Sequence, residues 1–287
     1  MLKRFIQVLF CLWLTLHSSL VSATSNDETT PLDSKNNSFE FLPQKELFIP
    51  LAADVRESLF SIRYERQEIE DSRFSAASVS FGDYLPLFNY SLSNNSTLQV
   101  SFDGAMHALF NLDTPSYNLV NTDYLVGPSL SLQNDNLTTR VRLYHASGHL
   151  GDEFILENPD FERRNSSYED LELISAYTQD LLRVYAGGGY IVRTNSFTNN
   201  KPFHARSGVE LRLPIKSTTS SFLFALDLES QERTNWHIST SFVGGISTEK
   251  NFREIRFLGG YFNGKSPHGQ FFLETIEYWG FGVYFLV

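Results

Sequence analysis

From residue 59 to the end of the chain, apolar side chains recur at every second position in one segment after another. Between Thr97 and Phe110, for example, Leu98, Val100, Phe102, Gly104, Met106, Ala108 and Phe110 share one parity, and Thr97, Gln99, Ser101, Asp103 and His107 share the other. Successive side chains of an extended strand point to opposite faces, so a period of two marks a strand with one apolar and one polar surface. Twelve such segments occur, near 59–67, 73–92, 97–110, 118–132, 137–149, 167–177, 181–192, 203–213, 221–230, 235–246, 252–263 and 272–287. An even number lets an antiparallel sheet close with both chain ends on one side. The connections Ser93–Ser96, Gln133–Asn136 and Thr178–Asp180 are tight, whereas 111–117, 150–166 and 193–202 are longer. Short periplasmic turns and longer outer loops produce that asymmetry, although it weakens near 231–234. The expected fold is all-β, a closed antiparallel transmembrane β-barrel of about 12 strands. A soluble two-layer sandwich shares the alternation and is the structural alternative.

The polar parity carries Arg140, Arg142, Asp170, Glu172, Arg183, Arg206, Glu210, Arg212, Asp227, Glu229, Glu254 and Arg256. Charges of both signs suit a narrow lumen filled by ion pairs better than an ion-selective pore, which uses one sign at its constriction. The 25 Phe, 13 Tyr and 3 Trp make up 14% of the chain, and mean hydropathy is nevertheless −0.22, as alternation of aromatic and polar residues requires. A formal charge of −10 argues against a nucleic-acid binder. Residues 1–23 have the three parts of a secretory signal: Lys3 and Arg4, an apolar stretch from Phe5 to Leu16, and Val21-Ser22-Ala23 as a cleavage site. The single cysteine, Cys11, lies in that leader, so the processed chain can form no internal disulfide. Residues 24–45, rich in Asn, Ser, Asp, Thr and Pro, read as a flexible polar linker, and 46–287 as a single barrel domain.

The stretches Ser80-Phe-Gly-Asp83, Ala108-Leu-Phe-Asn-Leu-Asp-Thr-Pro-Ser116, Asn121-Thr-Asp-Tyr-Leu-Val-Gly127, Arg142-Leu-Tyr-His-Ala-Ser-Gly-His-Leu-Gly-Asp-Glu-Phe154, Asn165-Ser-Ser-Tyr-Glu169 and Tyr185-Ala-Gly-Gly-Gly-Tyr190 resemble a bacterial family, number twelve-oh-seven among domains of unknown function. The resemblance runs from about Glu46 to the C-terminus. Gly148 departs from it, because a second serine is expected there. The resemblance implies a bacterial exported β-protein of the outer membrane and carries no activity. Trp279, Phe281, Val283, Phe285 and Val287 alternate to the chain end, and look like the terminal strand that the outer-membrane assembly machinery recognises.

His145 and Ser147 are two apart on a strand and share the parity of Val141 and Leu143, so both should face lipid, at the level of the outer leaflet below the 150–166 loop. Polar groups facing lipid are costly without partners, which singles this pair out. Tyr144-His145-Ala146-Ser147 resembles, more weakly, the Tyr-His-x-Ser strand motif of outer-membrane phospholipase A and the His-x-Ser of the outer-membrane lipid A deacylase. Those resemblances imply Ser147 as nucleophile and His145 as general base, with Glu169 or Asn165 on the next strand as the group that orients the ring. The sequence departs from both patterns, since Gly148 follows Ser147 where they have Asn.

Asp152 and Glu153 are candidate metal ligands, and with Glu157 and Asp160 could hold calcium through oxygen, although no regular calcium-loop motif is present. No other cofactor is indicated. His145 and His149, four apart on a strand, stand about 13 Å apart and suit a shared ion poorly. Gly187-Gly188-Gly189 lacks the Lys-Ser/Thr of a phosphate loop and fits a close approach on a strand. The expected role is an integral outer-membrane barrel, structural or ligand-binding, with outer-membrane lipid as its surroundings. The alternative is an outer-leaflet lipid acyl-ester hydrolase using Ser147 and His145.

Overall fold

The computed structural model describes residues 38–286 except 70–71, 94, 165, 195–200 and 251–252. The segment expected to be an export signal, with Cys11, lies outside the described residues, as does Asn165. A short strand β1 (Phe39–Phe41) precedes twelve longer ones: β2 (Phe60–Ile69), β3 (Ser72–Ser93), β4 (Ser96–Asn111), β5 (Leu119–Asn134), β6 (Leu137–Leu150), β7 (Tyr168–Gln179), β8 (Leu182–Thr194), β9 (Phe203–Pro214), β10 (Ser220–Gln231), β11 (Ile238–Lys250), β12 (Arg253–Lys265) and β13 (Thr275–Leu286). Each pairs antiparallel with the next, and β13 returns to β2 with Phe285 opposite Phe60 and Ile276 opposite Ile69. The expected twelve-stranded barrel is therefore closed, and none of its wall strands is left as an edge. Tight turns at one end place Asp135 and Asp180 at φ 49° and 52°, a left-handed conformation that aspartate tolerates better than most residues.

The two parities take the expected sides. Phe102, Leu130, Leu143, Phe224, Phe257 and Phe281 are exposed on the outer wall and form the apolar surface that a bilayer covers. Arg140, Arg142, Asp170, Glu172, Arg183, Arg206, Glu210, Asp227, Glu254 and Arg256 are buried inside, while Arg212 and Glu229 are partly buried. Opposite charges meet there, as in Arg142 with Asp103 and Glu172 at 3.3 and 3.0 Å, and Arg183 with Glu210 at 3.1 Å.

The lumen is also filled by a segment that the alternation does not mark. Residues 46–59, between β1 and β2, run inside the barrel, with Phe48 and Leu51 fully buried. Leu47 N–H donates to Gln99 Oε1 at 2.8 Å, Ala52 N–H to Glu210 Oε1 at 2.7 Å, and Ser58 Oγ to Asp103 Oδ2 at 3.1 Å. Asp54 pairs with Arg206, and Glu57 accepts from Arg140 Nη1 at 2.9 Å and from the Tyr84 hydroxyl. Part of the stretch read as a linker is also ordered. β3 runs 22 residues, and beyond the short β2 its free edge pairs with β1, Phe39 facing Tyr90 and Phe41 facing Phe88. The edge of a strand with open N–H and C=O groups accepts any extended chain of suitable register.

At the opposite end, the long β6–β7 connection folds into a helical turn, α1 (Asp152–Glu157), and the β12–β13 connection dips into the barrel mouth. Phe154, Phe161 and Phe271 pack together there with ring centroids 5.1–5.4 Å apart. In a planar bilayer, the intact protein is expected to pass little current. Glu57→Ala strands a fully buried Arg140, and is expected to cost roughly 3–5 kcal/mol, read as a lower denaturant midpoint for loss of heat-modifiable mobility. Steady large-conductance openings of the wild type would contradict a sealed lumen.

Candidate functional site on the outer wall

β6 turns Arg140, Arg142, Tyr144 and Ala146 inward, which leaves Val141, Leu143, His145, Ser147 and His149 on the wall facing lipid. β6 runs from a tight turn toward the long β6–β7 connection, and His145 lies in its second half, on the side of that connection. In the β6–β7 ladder His145 stands opposite Glu169. The imidazole Nδ1 is 3.1 Å from Glu169 Oε1, so the two groups that the sequence places on neighbouring strands do meet.

Arg193 on β8 completes this cluster. Its Nε donates to Glu169 Oε2 and its Nη2 to Glu169 Oε1, both at 2.6 Å, in the planar fork that guanidinium and carboxylate favour. Alternation alone does not find Arg193; the pairing of β7 with β8, which sets Glu169 against Arg193, does. Ser147 is half-buried on the same face, one step beyond the last ladder pair of Ala146 with Tyr168. Among the described residues no hydrogen bond joins Ser147 to His145. His149 is exposed, and its ring packs edge-on against Tyr124 at 5.9 Å.

The remaining candidates separate from this group. Asp152 and Glu153 lie exposed in the first turn of α1, where the helix N-terminus favours acidic groups. Among the described residues no cluster of three or more His, Cys, Asp or Glu side chains is arranged to hold a metal ion. The glycine run makes room for a polar contact: a Cβ on Gly189 would stand 2.3 Å from His204 Nε2, which bonds Asp170 at 3.0 Å.

Gly148, the position where serine is expected, has a structural reason. It faces inward beneath the β12–β13 connection, whose Gly269 N–H donates to Asp123 at 3.0 Å and whose Gln270 Nε2 donates to the Gly148 carbonyl at 2.7 Å. A Cβ there would stand 2.5 Å from Asp123 Oδ1 and 2.6 Å from Ser166 Oγ.

A closed twelve-stranded wall with an apolar outer surface, a charged and plugged interior and a His–Glu–Arg cluster facing lipid defines an integral β-barrel of the outer-membrane type. The model of the family described as a protein of unknown function, DUF1207, matches residues 22–286, and the chain belongs to that family. No curated protein matches it by sequence. Among solved structures it is similar to the outer membrane phospholipase A from Escherichia coli, at 13% identity and TM-score 0.56, over 84% of this chain and 94% of that one. The Salmonella typhi outer membrane phospholipase dimer with bound calcium gives 12% identity and TM-score 0.56 over the same shares. An outer membrane channel from Pseudomonas putida F1 gives 12% identity and TM-score 0.51 over 90% of this chain and 98% of that one. These likenesses establish the fold.

Gly148→Ser is expected to lift the β12–β13 connection from Asp123 and cost about 1–3 kcal/mol, as overpacking does. Limited proteolysis should then cut within residues 266–274 faster than in the wild type, and equal protection would contradict that docking.

Proposed function

We propose that this barrel acts at its outer wall as a lipid acyl-ester hydrolase of the outer leaflet, with Ser147 as nucleophile, His145 as general base and Glu169 as the group that orients the imidazole. The observation that carries the reading is the 3.1 Å contact between His145 Nδ1 and Glu169 on a surface meant for lipid. A carboxylate on Nδ1 holds the tautomer in which Nε2 can accept a proton, the arrangement a hydroxyl nucleophile needs. Ser147 lies two residues along the same face, roughly 6.6 Å by strand rise, and rotation of the two side chains can shorten that gap when substrate binds. The filled lumen supports a role at the wall rather than through the barrel. The family likeness adds no activity, whereas the phospholipase structures share the barrel on which such chemistry occurs.

A structural role is the second reading, and one observation favours it. Both Glu169 oxygens are engaged by Arg193, so the cluster can also serve as an ion pair that ties β6, β7 and β8 together at the membrane surface.

The test is release of fatty acid from extracted outer-membrane lipids by the purified barrel, with and without added calcium, a cation bound in one of the similar structures. Wild type is expected to release fatty acid, Ser147→Ala to lose release entirely, and Glu169→Gln to reduce it by about 10²-fold or more through loss of ring orientation. No release by folded, heat-modifiable wild type under either condition overturns the hydrolase in favour of the structural reading.

A further inference from the structure

A second candidate site lies inside the outer mouth of the barrel, separate from the lipid-facing cluster and independent of the hydrolase reading. A cavity of about 420 Å³ is bounded by the outer ends of β2–β5, by α1 and by the β12–β13 connection. That volume falls within the range of small-molecule sites. One part of its lining is aromatic, from Phe74, Phe154 and Phe271. The ring of Phe154 meets that of Phe271 edge-on at an interplanar angle of 85°, so the two present differently oriented faces and edges.

The polar part of the lining is rich in acceptors. Gln67 is 1% exposed, its Nε2 is spent on Glu65 at 2.7 Å, and its Oε1 is buried without a hydrogen-bond partner. A buried carbonyl oxygen left unpaired is costly, and a ligand N–H or O–H would satisfy it. Glu157, exposed on α1, lines the same space; one oxygen accepts from Asn118 Nδ2 at 2.6 Å, and no ion pair to it is formed among the described residues. No Lys or Arg contributes to the lining. His268 adds no positive charge, because burial, reinforced by Arg63 and Arg56, pushes its imidazole down to about 3.

We infer that this cavity binds a small protonated organic amine, with N–H donors for the Gln67 carbonyl, positive charge for Glu157 and an alkyl body for the three phenyl rings. An anion would meet the Glu157 carboxylate, with no Lys or Arg in the lining to bond it. A neutral polyol could use the acceptors, but gains nothing from Glu157 and less from the aromatic faces than a cation does.

Isothermal titration of the full-length barrel in detergent tests this, with spermidine as the probe and glucose and acetate as comparisons. Saturable spermidine binding is expected, weakened roughly tenfold or more by Glu157→Gln and several-fold by Phe154→Leu, with Glu153→Gln on the same helix unchanged. Heat-modifiability of each variant confirms the fold, and Glu157, being exposed, tolerates the change with the least risk to it. No saturable spermidine binding by folded wild type overturns the inference. So does equal affinity in Glu157→Gln, or tighter binding of glucose or acetate than of spermidine.

Discussion

Arg140 sits with 1% of its surface exposed in the interior of a barrel that lies within a membrane, and the organisation of the lumen follows from what surrounds that charge. A guanidinium there needs a carboxylate, because the cost of an unpaired buried charge exceeds any single packing gain. The wall alone supplies Glu172 at 3.7 Å; the closer partner, Glu57 at 2.9 Å, comes from the segment threaded through the lumen. Phe48 of the same segment stacks under the guanidinium at 4.4 Å, and the Tyr84 hydroxyl accepts a further bond at 2.7 Å. Plug and wall are thus complementary in charge, and each leaves the other with stranded ions if removed.

This complementarity accounts for several features. The plug must be delivered to the lumen from the end where β2 begins, and β1, clipped to the free edge of β3, holds the chain just before it enters. Arg206 with Asp54 and Glu210 with the Ala52 amide extend the same matching of plug to wall onto β9. With the interior committed to these contacts, surfaces open to chemistry remain at the lipid-facing wall, where His145 meets Glu169, and at the outer mouth, where α1 and the β12–β13 connection enclose a cavity. Gly148 links the two regions: its neighbour Ser147 points to lipid while its own carbonyl holds Gln270 of the mouth. A side chain there would press on Asp123 and Ser166 beneath the mouth, which accounts for glycine where the sequence resemblance leads one to expect serine.

Strand alternation was enough to read which side of the wall each residue faces, because parity is a local property of an extended chain. The inward charges and the outward placement of His145 and Ser147 follow from it without knowledge of register. The meeting of His145 with Glu169 was legible too, since neighbouring strands of a meander pair and both residues lie close to the same long connection. Arg193 was not, because the contact depends on the β7–β8 register and on a bulge between Glu169 and Asp170 that shifts it. α1 leaves no mark in the sequence, as six residues are too few to show a helical period.

The sequence by itself determined the number of wall strands and the sidedness of each, since both are encoded in periodicity that neighbouring residues carry. Only the tertiary structure decided that β13 closes on β2, that residues 46–59 occupy the lumen, that β1 pairs with β3, and that a cavity opens beneath α1. The physical reason is distance along the chain. Glu57 and Arg140 are 83 residues apart, and Ala52 and Glu210 158, so the ion pair of the first and the hydrogen bond of the second are properties of the closed barrel and of no shorter segment.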